Sequence, residues 1–108
     1  MKAELLSEAA YQAMLLEQVQ LPADDINAIL MNASGWSLGF GMIPTAKGTC
    51  YWHSGNNDDY QSWSHIFPDQ QYGVVLFTNS DKIQTPAFFN ILLDFLQDGV
   101  VFDLCKLE

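Results

Sequence analysis

Three features of the sequence predict an α+β fold in which helices pack on an antiparallel sheet. Helical patterning occupies residues 1–34. Four strand-like segments then follow one another between 35 and 80 with short turns between them, and a last helical stretch covers 85–98. Short connections leave no room for the crossovers that parallel strands need, so the pairing is antiparallel. Helices segregated from strands mark the α+β class. The 108 residues make one domain, and 49% hydrophobic content with seven Phe supplies a core.

Ser7 is placed to cap a first helix through Ala9, Ala10, Ala13 and Met14, which ends before Pro22. Asp24 and Asp25 sit at the start of a shorter helix containing Ile26, Ile29 and Leu30, where acidic side chains suit the helix dipole. Asn32-Ala33-Ser34-Gly35 ends it. Trp36, Leu38, Phe40 and Met42 recur at period two and predict a first strand over 36–43, with Pro44 to Gly48 as a turn. A second strand is predicted over Cys50–Ser54, a loop over Gly55–Asp59, a third strand over Tyr60–Phe67 and a turn over Pro68–Gln71. Tyr72 to Asn79 gives the clearest strand, apolar enough to be buried on both faces. The last helix has Thr85 as its cap, Pro86 in its first position and a thin polar stripe of Asn90, Asp94 and Gln97. A short extended tail follows at Val100-Val101-Phe102.

Thirteen acidic residues against four Lys and no Arg give a net charge of −9. Phosphate neutralisation needs clustered cations, so no nucleic-acid partner is expected, and an anionic membrane surface is disfavoured for the same reason. Cys50 and Cys105 lack CxxC spacing and neighbouring ligands, so no metal is expected. They read as two unpaired thiols, or as one disulfide if the protein is exported. The first residues lack the apolar core of a signal peptide, and no stretch approaches the ~20 apolar residues that span a bilayer. The compartment stays open.

The segment richest in chemistry is Trp52-His53-Ser54-Gly55. It is flanked by Gly35-Trp36-Ser37-Leu38-Gly39-Phe40 before it, and by Phe67-Pro68-Asp69 and Tyr72-Gly73-Val74-Val75-Leu76-Phe77-Thr78-Asn79-Ser80-Asp81 after it. In order and spacing these motifs resemble the C-terminal part of serine β-lactamases, penicillin-binding proteins and related esterases, over roughly Leu5 to Gln97. That resemblance implies a partial β-lactamase-like fold and a small acyl substrate: a β-lactam, a D-Ala peptide or an ester. It needs no cofactor. It also implies that a parent protein which is periplasmic or otherwise extracytoplasmic would be typical.

In that family a Lys-Thr-Gly or His-(Ser/Thr)-Gly motif lies on a strand bordering the catalytic cleft, and His53-Ser54-Gly55 matches it. By this resemblance His53 supports a proton or a substrate charge, although a histidine carries that charge only in part at neutral pH. Ser54 donates a hydrogen bond to substrate, Gly55 leaves room for the ligand, and the backbone N–H of Asn56 forms half of an oxyanion hole, worth ~3 kcal/mol per donor.

The family nucleophile is the serine of Ser-x-x-Lys, and no serine here has a lysine three residues later. Ser54-Gly55-Asn56 matches the letters of the second motif, Ser-x-Asn, but overlaps the third. The resemblance therefore implies that nucleophile and lysine lie outside these residues, in an N-terminal part of a parent hydrolase that would be this segment's partner. The segment alone is expected to be inactive. An alternative reading is a non-catalytic binding or assembly module that keeps part of the fold. A Ser54 nucleophile with His53 or His65 as base and Asp58 or Asp59 as orienter is opposed by strand geometry, because neighbours on a strand point to opposite faces. His65 reads as a surface or sheet-face histidine, Asp58-Asp59 as turn formers, and Trp36, Trp52 and Trp63 as packing residues. A sheet edge left open by the absent part is expected to promote self-association.

Overall fold

The structure, a computed structural model, describes residues 5–80. The predicted helix at 85–98, the tail at 100–102 and Cys105 lie outside them.

The Ser7 hydroxyl accepts a hydrogen bond from the Ala10 N–H at 3.2 Å and starts helix α1 (Glu8–Leu15). Strand β1 (Val19–Gln20) follows. The Asp25 carboxylate accepts from the Asn27 N–H at 2.8 Å and caps helix α2 (Ile26–Met31), which ends where Asn32 enters the left-handed region at φ 55°. Asparagine tolerates that conformation better than most residues. Strands β2 (Gly35–Trp36), β3 (Gly41–Thr45), β4 (Gly48–Asn57), β5 (Tyr60–Phe67) and β6 (Tyr72–Thr78) complete the order, with a short 3₁₀ turn at Pro68–Gln70 between the last two.

All six strands form one sheet in the order β1-β2-β3-β4-β5-β6, each antiparallel to its neighbour. The α+β class and antiparallel pairing hold, but the described residues form six strands where about four were expected. Two differences account for the count. The helical lead-in contains β1, whose Val19 pairs with Trp36. The strand expected over 36–43 is a hairpin: Gly39 takes φ 84°, the Ser37 N–H donates to the Phe40 carbonyl at 2.8 Å, and Trp36 lies opposite Gly41. A period-two apolar run cannot reveal such a reversal, because a two-residue turn preserves the alternation on either side.

Two connections are also shorter than expected. Pro44 belongs to β3, opposite Thr49, beyond the last β2 residue, so its missing N–H breaks no ladder on that side. The turn is left to Ala46 and Lys47. Gly55, Asn56 and Asn57 belong to β4 rather than to a loop, and only Asp58-Asp59 turns the chain, with Asp59 at φ 68°.

Burial along β6 alternates. Val75 and Phe77 are 61% and 77% exposed, so the strand is not covered on both faces as its composition suggested. The core lies on one face of the sheet, called inner here. Cys50 and Phe67 are buried with Ile43, Trp63, Tyr72, Val74 and Leu76 packed round them. Met31 and Ala33 from the end of α2 close over Trp52, with Leu21, Trp36, Ile43 and Trp63 completing that cluster. Ile43 and Trp63 belong to both groups and join them. Helix α1 buries no residue, and its Leu15 carbonyl accepts a hydrogen bond from the Tyr51 hydroxyl at 3.1 Å. Burial, then Asp69 and Tyr11, push the Tyr51 phenol above its ordinary pKa.

Candidate functional site

Strand β4 carries His53, Ser54, Gly55 and Asn56 in sequence, and its register with β5 fixes where each points. His53 lies opposite Ser64, Ser54 opposite Trp63, Gly55 opposite Ser62 and Asn56 opposite Gln61. Residues directly opposite share a face, so His53, Ser64 and Val75 form one outer row, and Ser54, Trp63 and Leu76 the neighbouring inner row. His53 is exposed and Ser54 half-buried. The Ser64 hydroxyl donates to the His53 carbonyl at 3.3 Å, which ties the two strands beside the imidazole.

Strand β3 pairs with β4 only as far as Trp52. From His53 to Asn57, β4 is therefore paired with β5 on one side, and among the described residues no strand pairs with it on the other. In an antiparallel ladder alternate residues turn N–H and C=O to opposite sides. The stretch thus presents backbone donors and acceptors along an open edge. The edge begins at the His-Ser-Gly triplet and was not legible in the sequence, because it depends on where β3 ends.

The inner face beside Ser54 is aromatic. Trp36 and Trp52 have ring centroids 5.3 Å apart, Trp52 and Trp63 stack at 6.0 Å, and Trp63 stacks on His65 at 6.5 Å. The three tryptophans pack the sheet, the role expected of them. His65 lies opposite Trp52 and Val74 and is 0% exposed, a sheet-face histidine rather than a surface one. Burial lowers its pKa to about 4, with a hydrogen bond involving the Ser64 backbone pulling the other way. It is neutral at pH 7.

This arrangement does not assemble a nucleophile on Ser54. His53 is on the opposite face, His65 is diagonal to Ser54 and committed to the tryptophan stack, and Asp58 and Asp59 stand at the exposed hairpin tip. Cys50 is a free, buried thiol whose pKa burial pushes up to about 12, partly offset by a hydrogen bond from the Ile66 backbone. It holds almost no thiolate at neutral pH. Among the described residues no three His, Cys, Asp or Glu side chains are grouped to hold a metal ion.

Comparison of the chain with family models, with curated proteins and with solved structures finds no match.

Proposed function

We propose that this chain is the C-terminal segment of a β-lactamase-like serine hydrolase and supplies the His53-Ser54-Gly55 wall of its site. The observation that carries the reading is the position of the triplet, at the point where β4 loses its β3 neighbour. An extended acyl substrate lies along that edge. Its backbone-like amide pairs with β4, the Ser54 hydroxyl donates to it from the inner face, and the Asn56 N–H points at the carbonyl oxygen where negative charge develops. His53, on the outer side of the same strand, supports charge or proton movement at the rim. The order of the flanking motifs supports the same reading.

The acyl-accepting serine and its lysine belong to an N-terminal part of the parent protein, so the 108-residue chain alone is inert toward nitrocefin and p-nitrophenyl esters. The test uses the protein encoded by the whole reading frame. Ser54→Ala is expected to lower kcat/KM about tenfold, the loss of one hydrogen bond to the substrate amide, with the covalent acyl adduct still forming. Unchanged kcat/KM in Ser54→Ala, or turnover by the chain alone that this substitution abolishes, contradicts the reading.

A further inference from the structure

Helix α1 turns one stripe toward the outer face of the sheet: Glu8, Tyr11, Gln12 and Leu15, at the spacing of a single helix face. Three of these four are polar, and the helix buries none of its residues. Two hydrogen bonds tie it to the strands instead. The Tyr51 hydroxyl donates to the Leu15 carbonyl at 3.1 Å, and the Leu38 N–H donates to the Met14 carbonyl at 3.2 Å. The gap left between helix and sheet is a groove of about 380 Å³, closed on the sheet side by Tyr51 and by Asp69 of the 3₁₀ turn. Tyr51 faces outward because its neighbours Cys50 and Trp52 are buried on the inner face. It pairs with both Met42 and Ile66, where β4 has a strand on each side.

We propose that this groove binds a small primary ammonium, seated against the Tyr11 and Tyr51 rings with its N–H groups directed at the Glu8 and Asp69 carboxylates. The proposal does not rest on the hydrolase reading. Among the described residues, the charged groups lining the groove are those two carboxylates. The Gln12 amide donates to the Glu8 carboxylate at 2.8 Å and holds it on the groove-facing stripe. The Tyr51 hydroxyl gives its proton to Leu15, so its oxygen keeps lone pairs to offer. After burial, Asp69 and Tyr11 are what raise the Tyr51 pKa, which puts both within electrostatic reach of that phenol. Two carboxylates on an open surface would keep their water. The recess and the two half-buried phenol rings give a cation a surface to leave water for. The carbonyl end of α1, at Leu15, adds partial negative charge, and its last turn has no basic residue. The volume falls in the range of small-ligand sites, about 300–1,000 Å³.

The test is titration of the 108-residue chain with n-pentylammonium, followed by amide chemical shifts. The neutral counterpart is n-pentanol, and n-pentyltrimethylammonium is the cation without N–H donors. Saturable shifts from n-pentylammonium are expected within 8–16, 49–51 and 68–69, with both counterparts roughly tenfold weaker and binding reduced as salt is raised. Glu8→Gln and Asp69→Asn should each weaken binding about fivefold. Asp58→Asn and Asp59→Asn remove the same charge at the hairpin tip and should leave binding unchanged. All four replace exposed side chains, and unchanged tryptophan fluorescence reports an intact core. Equal binding of either counterpart, shifts scattered over the surface, or equal weakening by all four substitutions overturns the site.

Discussion

Gly41 lies directly beneath the indole of Trp52, its partner across β3 and β4, and a Cβ at position 41 would fall on the ring around Nε1. Among the described residues the Trp52 Nε1 is buried without a hydrogen-bond partner. The glycine is what lets the ring lie flat against the sheet between Trp36 and Trp63, just before the open edge begins. Gly41→Ala is expected to destabilise the chain by roughly 1–3 kcal/mol through overpacking. In a Trp52→Ala background, itself costing roughly 3–5 kcal/mol, the same change should cost much less, since the clash is gone. Urea unfolding of the four variants measures this, and equal costs in both backgrounds would refute the contact.

Acid should weaken the fold through His65. Its folded pKa, about 4, lies below the ordinary histidine value of 6.5, so the unfolded chain binds the extra proton first. The stability tied to neutral His65 is complete above pH ~6.5 and is lost as pH falls toward 4, up to about 3 kcal/mol for a shift of this size. His65→Gln should flatten stability between pH 4 and 6.5 relative to the parent. A parental profile already flat across that window would contradict the burial argument.

Cys50 should resist thiol reagents while the sheet is intact. In a Cys105→Ser variant, which leaves one thiol, reaction with Ellman's reagent at pH 8 is expected only as fast as the sheet opens, and to become immediate in denaturant. Rapid labelling under native conditions would place the thiol elsewhere.

Self-association is expected of the 108-residue chain. Among the described residues β6 is the last strand of the sheet, and it carries the exposed Val75 and Phe77. Sedimentation should show concentration-dependent dimers that Val75→Lys weakens. A clean monomer at high concentration counts against it.

Much of this fold can be read from local chemistry. The caps at Ser7 and Asp25, the stop at Asn32 and both ends of β5 follow from side chains acting on their own backbone. What could not be read depends on partners distant in sequence. Val19–Gln20 is a strand only because Trp36 and Gly35 lie beside it. The reversal at Leu38-Gly39 is masked by apolar residues that continue the alternation. The exposure of Val75 and Phe77 depends on what covers a sheet face, which composition does not state. At the site, letters picked out His53-Ser54-Gly55, while the division of His53 and Ser54 between two faces needed only strand geometry. The open edge needed the end of β3, and the groove needed α1 laid over the outer face beside Tyr51.

The central claim is that these residues form one wall of a serine hydrolase whose nucleophile lies outside them. The most direct measurement is peptide mapping of the covalent adduct formed when the protein of the whole reading frame is treated with a fluorescent penicillin or an activated ester. The expected result is a single acylated serine, followed three residues later by lysine, in sequence preceding residue 1, with the adduct still formed in Ser54→Ala. An adduct on Ser54, or no adduct on any serine, would contradict it.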